Sequence, residues 1–347
     1  MKLRKLIIIA ISLLLVSACS EKTAYCPPDF EIERRLDFEI LSDRLMFFPY
    51  SLNECEGYLV ATGHSSSGGE TCFIYDKQGN LVYSCIKQGR GPAEVSGYSR
   101  VSSYDGVIAY YDILAKEKLS FRLSEMLEKG PASVTKDPID VPAWCTFYYD
   151  SPNGNNIAII SRSPQNHELP QRSILYKSDN GITYEHNGAV YEDRDVSWYA
   201  SMQPHAAFSP DGKRMVISQN VGMVLEFYSL EDSIRLESTR RYYEPKITVN
   251  EYGYQKAPNT TYYTEGMKAT DEQIFAIYDG EIPVSDINGK KNTLLFKNIA
   301  SFDWNGNPLI LYRTCYRVCK FCISGRILYA ILQDPEGNYL LGKAGMD

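Results

Sequence analysis

The stretch Tyr58–Cys85, YLVATGHSSSGGETCFIYDKQGNLVYSC, decides the fold. It holds three short apolar runs, Tyr58–Thr62, Cys72–Tyr75 and Leu81–Cys85. The Gly/Ser-rich segment Gly63–Gly69 and the turn Asp76-Lys-Gln-Gly-Asn80 separate them. Runs this short, bounded by Gly, Asn and Asp, read as strands of an antiparallel meander. In the second turn Gly79 supplies a positive φ, and the Asp76 side chain caps the backbone.

The same pattern recurs down the chain. Val107–Tyr111 goes with Lys118–Arg122, Ile157–Ile160 with Ser173–Tyr176, and Arg214–Ser218 with Val224–Tyr228. Ile274–Tyr278 goes with Thr293–Phe296, and Ile327–Ile331 with Tyr339–Leu341. Related turns follow at Ser151-Pro-Asn-Gly-Asn155, Ser209-Pro-Asp-Gly-Lys213, Asp303-Trp-Asn-Gly-Asn307 and Asp334-Pro-Glu-Gly-Asn338. Helical periodicity is nearly absent, with one short helix expected at Leu123–Lys129. About six units of ~30–55 residues, each with four short strands, predict an all-β, six-bladed β-propeller of antiparallel blades. A two-domain β-sandwich would explain the strands but not the evenly spaced turns. Leu36–Ile40 is a spare strand before the first unit, placed to complete the last blade and close the ring.

The 347 residues are 44% apolar and 23% charged, with a formal charge of −7. This composition excludes wholesale disorder, collagen and coiled coil. The acidic balance argues against a nucleic-acid partner, which needs a basic face. Tyrosine is abundant, at 27 residues against 13 Phe. Tyr148-Tyr149, Tyr242-Tyr243, Tyr252-Gly-Tyr254 and Tyr262-Tyr263 cluster. Tyr pairs a broad apolar face with a hydroxyl, which suits sugar or peptide recognition, but it is also a good strand residue. Tyr242–Tyr263, rich in Pro, Asn and Thr, reads as a long loop.

The first 18 residues read as an address. Lys2, Arg4 and Lys5 precede the apolar core Leu6–Val16, too short to span a bilayer comfortably. Val16-Ser17-Ala18-Cys19 resembles a bacterial lipobox, which implies cleavage and acylation of Cys19 as a lipid anchor, with more than one chain for stable attachment. Loss of the three leader charges takes the formal charge from −7 to −10. Ser20 after the cysteine, rather than Asp, favours the outer membrane. The expected organisation is a signal peptide over 1–18, a lipidated tether over 19–30 and a propeller domain over 31–347.

Gly89-Arg-Gly-Pro-Ala-Glu94, the lipobox and Phe208-Ser-Pro-Asp-Gly212 together resemble the TolB-like six-bladed propeller lipoproteins of Bacteroidetes, whose first blade ends in a hairpin like Tyr75–Asn80. The resemblance implies a propeller fold and an envelope location, and brings no catalytic residues with it.

Eight cysteines remain after Cys19, an even number that permits disulfides in an oxidising compartment. Cys315, Cys319 and Cys322 have near-chelate spacing. On a regular strand, however, Cys319 and Cys322 point to opposite faces, so no metal site is assigned. No cofactor is implied, and no nucleophile elbow or phosphate loop appears. Candidate ligand-binding residues are Arg90 and Glu94 in the Gly-rich loop, Trp198 and His205 before a predicted strand, and Tyr252 and Tyr254. The loop reads equally as a blade-to-blade brace. The function expected is a binding module for a glycan, a peptide or an envelope protein; the alternative is a lyase or hydrolase using the central channel. The anchor reading predicts that Cys19→Ala abolishes metabolic labelling with a radioactive fatty acid and leaves unprocessed precursor; full labelling of that variant would refute it.

Overall fold

A computed structural model of the chain describes residues 25–65, 69–96, 100–162, 170–178, 180–201, 204–219, 222–244, 247–250, 253–256, 259–283 and 297–346. The segment expected to be a leader, the expected anchor Cys19 and the predicted strand Thr293–Phe296 lie outside them. The described strands form six main sheets and a two-stranded hairpin. Blade 1 runs outward as Phe47–Cys55, Tyr58–Ser65, Glu70–Tyr75 and Leu81–Gln88. Blade 2 is Arg100–Tyr104, Val107–Asp112, Glu117–Arg122 and Thr135–Pro138. Blade 3 is Cys145–Asp150, Asn156–Ser161, Arg172–Lys177 and Thr183–Gly188. Blade 4 is His205–Phe208, Arg214–Ser218, Val224–Ser229 and Arg235–Arg241. Blade 5 is Asn259–Ala269, Gln273–Pro283, Asn298–Asp303 and Pro308–Arg313. Blade 6 is Arg317–Ser324, Ile327–Gln333 and Tyr339–Gly345, with Glu39–Leu45 from the N-terminus as its outermost strand. The expected short helix forms at Leu123–Lys129 and buries Leu123 and Met126.

The chain's continuous apolar runs have a direct cause. A strand in the middle of a blade buries both faces, so it cannot alternate apolar with polar residues. Leu59 packs toward blade 6, while its neighbour Val60 packs toward blade 2. Met215 and Ile217 face blade 3, while Val216 between them faces blade 5. Ile274 and Ala276 face blade 4, while Phe275 and Ile277 face blade 6. Each buried aliphatic side chain contributes about 1.5–3 kcal/mol, and the six inter-blade layers repeat that contribution around the ring.

The recurrent turns behave as their sequence requires. The Asp76 carboxylate accepts from the Gln78 and Asn80 amides at 2.9 and 2.8 Å. Asp303 does the same for Asn305 and Asn307. The side-chain amides of Asn80, Asn307 and Asn338 donate to Asp76, Asp303 and Asp334. Gly306 adopts φ 79° and backs onto Arg240 of blade 4; a Cβ there would come within 2.5 Å of that side chain.

Three expectations need correction. The closing strand is Glu39–Leu45 rather than Leu36–Ile40. Leu36 instead packs between blades 5 and 6, and Ile32–Arg35 pairs in parallel with Pro308–Arg313. The Tyr242–Tyr263 segment is not one long loop: Ile247–Asn250 and Gly253–Lys256 form a hairpin, and Asn259–Ala269 is the inner strand of blade 5. Cys319 and Cys322 do not point to opposite faces. The register slips between Val318 and Lys320, and both cysteines pack toward blade 1. A bulge inserts one residue and so breaks the period of two.

Blades 3 and 4 share a buried ion pair. Arg172, 1% exposed, grips Glu226, 3% exposed, with both terminal nitrogens, one at 2.8 Å. Gln219 donates to the same carboxylate at 2.9 Å. Burial works against the Glu226 charge, but Arg172 overrides it and holds the carboxyl below its ordinary range.

Ring closure generates a stability prediction. A chain starting at Phe47 loses the outer strand of blade 6 and bares the edge of Tyr339–Gly345. It should melt broadly and at lower temperature than the parent, and associate through that edge. Thermal melting with size-exclusion chromatography measures both; an unchanged, cooperative, monomeric melt would show that closure is dispensable.

Candidate functional site

The innermost strands of all six blades converge on one cavity of about 410 Å³. Blade 1 contributes Tyr50 and Ser51, blade 2 Arg100, blade 3 Phe147 and Tyr149. Blade 4 contributes His205 and Ala206, blade 5 Met267 and Lys268, and blade 6 Lys320. No carboxylate lies among these lining residues.

Local backbone irregularity aims several of these side chains. The strand register breaks between Pro49 and Ser51, Cys145 and Phe147, Tyr263 and Met267, and Val318 and Lys320. Tyr50, Phe147, Lys268 and Lys320 sit at or just after those breaks. Bulges bend a strand and re-aim the side chains beside them. In blade 5, Gly266 takes φ 118°, a conformation L side chains rarely adopt. A Cβ there would meet nothing closer than 3.9 Å, so backbone geometry rather than space calls for glycine.

One wall is aromatic. Tyr149 stacks on Phe147 at 4.8 Å and on Tyr111 at 5.2 Å between ring centres. Its hydroxyl donates to the Val101 carbonyl at 2.6 Å, which fixes the ring. The Arg100 guanidinium lies 4.8 Å from the Phe147 ring centre, a cation–π distance. The opposite wall is a polar chain. Lys268 donates to Asn53 Oδ1 at 2.7 Å, Asn53 donates to Ser51 Oγ at 3.4 Å, and Ser51 bonds Thr62 at 2.7 Å. Burial pushes the Lys268 amine below the ordinary lysine range; the Cys322 thiol opposes that shift and Lys320 adds to it. The Cys322 thiol is itself pushed up to about 12 by burial.

Of the sequence-chosen residues, His205 lines the cavity. Arg90 and Glu94 do not. The Glu94–Val95 segment pairs with Lys87–Gln88 on the outer edge of blade 1. There the Glu94 carboxylate accepts from the Gly91 amide at 2.7 Å and fills the space beside Gly89. Trp198 sits half-buried on the helix Arg194–Ser201 and is not a lining residue. Tyr252 lies outside the described residues, and Tyr254 lies in the hairpin opposite Val249. The sequence reading missed Arg100, Lys268 and Lys320. The available signal was a cation embedded in the first strand of a unit, where a purely structural strand would carry apolar or small residues.

A larger groove of about 620 Å³ opens between blades 5 and 6. It mixes Arg34 and Arg326 with Asp271 and Glu272, so it presents no single sign of charge.

No protein-family model matches the chain, and no curated protein matches its sequence. Solved structures do match its fold. A gluconolactonase from Xanthomonas campestris superposes with a TM-score of 0.52 at 11% identity, covering 93% of this chain and 97% of its own. A luciferin-regenerating enzyme gives 0.52 at 11% identity, covering 90% and 96%. At that identity the likeness establishes the propeller and nothing about chemistry.

The Lys268–Asn53 bond generates a pH prediction. Asn53→Ala leaves the ammonium without its acceptor and should cost about 1–3 kcal/mol at neutral pH. A lysine held below its ordinary range binds fewer protons folded than unfolded, so stability gains as the pH rises through the lowered value. The deficit of Asn53→Ala should therefore shrink toward alkaline pH in denaturant melts. A deficit constant across that range would show that the ammonium charge is not its cause.

Proposed function

We propose that this protein is a lipid-anchored ligand-binding module of the bacterial outer membrane, a propeller that takes its ligand in the axial channel. The observation that carries the reading is the single cavity on which all six inner strands converge, with aromatic and polar walls. Its volume falls within the ~300–1,000 Å³ of small-molecule sites. The ligand group is therefore a small molecule, or one residue of a glycan or peptide, rather than a folded domain. Tethering through Cys19, supported by the lipobox, would hold the ring at the membrane surface.

A binding role accounts for the lining better than catalysis. General acid–base work needs a proton donor and acceptor of matched strength beside the reacting atom. Among the described lining residues the titratable side chains are tyrosines, Arg100, His205, Lys268 and Lys320, and none is placed as a matched donor–acceptor pair. The gluconolactonase and the luciferin-regenerating enzyme share the fold and place no chemistry on these residues.

The test is a glycan and peptide binding screen on the full chain in detergent micelles. Saturable binding is expected, and Ala206→Trp, which fills the channel, should abolish it while preserving the melt. Binding indifferent to Ala206→Trp would move the site elsewhere. Turnover of a bound compound would favour the enzyme reading.

A further inference from the structure

We infer that Cys72 and Cys85 close a disulfide that staples the outermost strand of blade 1 to the rest of its sheet. The inference rests on the envelope location proposed above, because disulfides persist in oxidising compartments. The register sets the two residues directly opposite each other on Glu70–Tyr75 and Leu81–Gln88. Directly opposed residues of an antiparallel pair have Cα atoms about 4.5–5.5 Å apart, inside the ~4.4–6.8 Å that disulfides span. Both side chains enter the same apolar layer between blades 1 and 2, at 0% and 4% exposure, so they share one face of the sheet as a bridge requires. Among the described strands no other two cysteines are register partners. Cys55, in the same layer, stands opposite Tyr58, and Cys319 and Cys322 lie on a single strand.

The two sulfurs already interact. The structure holds them as thiols, with Cys85 donating its S–H to Cys72. That hydrogen bond holds the Cys72 thiol below its ordinary range, against the opposing effect of burial. Cys72 is therefore the attacking sulfur. The oxidant is another disulfide, protein or small-molecule, that exchanges with the pair. The Cys72 thiolate attacks one sulfur of that disulfide and expels the other as a thiolate, leaving a mixed disulfide. Cys85 then gives up its proton, attacks the Cys72 sulfur and expels the second thiolate. Two electrons and two protons pass from the pair to the oxidant, which leaves as two thiols. With both sulfurs buried in the finished fold, exchange takes place while blade 1 is open, and the closed bond is then shielded from reductants.

The outermost strand has reason to need a staple. Of the eight residues of Leu81–Gln88, only Cys85 and Ile86 are buried, and Leu81 and Val82 are about half exposed. Few apolar contacts hold it, and weakly packed edges open first. Ile86 takes φ 54°, which β-branched residues rarely adopt, and such a conformation persists only where its surroundings enforce it. A bond at the adjacent Cys85 fixes that corner. The Gly89–Glu94 loop hangs from the same strand, because Glu94–Val95 pairs with Lys87–Gln88. A cross-link over so short a span also constrains the unfolded chain.

The test maps the cysteines of the full chain in detergent, with N-ethylmaleimide added at lysis to block free thiols. Trypsin cuts after Lys77 and Lys87, so Cys72 and Cys85 fall in different peptides. Without reductant the two should appear as one linked species, and fragmentation should place the link at Cys72 rather than Cys55. The same chain, reduced, unfolded in urea and refolded with oxidised and reduced glutathione, should form the same link; if refolding fails, the folded reduced chain is oxidised with diamide instead. Dithiothreitol should lower the melting midpoint of the parent by at least about 3 °C. Cys85→Ser should melt alike with and without it, and Cys72→Ser serves if that variant does not fold. A link formed in glutathione or diamide but absent from cells would overturn the envelope location and leave the pair standing. A link in neither, a link to Cys55, or a parent melt indifferent to dithiothreitol would overturn the inference, while the channel screen decides the binding role separately.

Discussion

Two-sided burial of the blades is the constraint on which everything else depends. Leu59 and Val60, adjacent in sequence, serve opposite interfaces, and so do Val216 and Ile217. A blade with both faces apolar cannot stand alone in water, and a row of such blades leaves two bare faces at its ends. Closing the row into a ring removes both. Glu39–Leu45 then pairs with Tyr339–Gly345, so segments about 300 residues apart are hydrogen-bonded in one sheet. Non-local pairing of this kind makes blade 6 complete only when a segment that precedes blade 1 in sequence has docked on it.

Closure also creates the site. Six inner strands brought to one axis leave a cavity that no blade owns, and each blade contributes only two or three residues to it. The interfaces are filled with aliphatic and aromatic residues, whereas the axis carries three cations and an imidazole. Packing alone would have favoured small apolar residues there. Register breaks on four of the six inner strands indicate that the chain departs from regular sheet geometry where its side chains meet the channel.

The Arg172–Glu226 pair shows a different use of charge. It is sealed between blades 3 and 4, where the Glu226 carboxylate accepts from both terminal nitrogens of Arg172 and from Gln219. Such a pair is weak evidence for net stability against an apolar filling, but removing one partner costs about 3–5 kcal/mol. Its charges neutralise each other in place.

The blades, the turns and a closing strand were legible in the residues alone. Apolar runs of four to six residues with Asp/Asn-Gly turns report local backbone conformation and two-sided burial, and both are short-range properties. His205 was found because it opens a strand beside a loop. Arg90 and Glu94 drew attention because Gly-Arg-Gly-Pro marks irregular backbone, but irregular backbone occurs at outer crossovers as well as at the axis. Which strand of each unit is innermost, and hence that Arg100, Lys268 and Lys320, up to 220 residues apart in the chain, line one cavity, emerges from the assembled ring. The physical reason is that a strand's place in its sheet is set by partners distant in sequence, and a single bulge reverses which face a side chain takes. Neither leaves a periodic trace in the residues themselves.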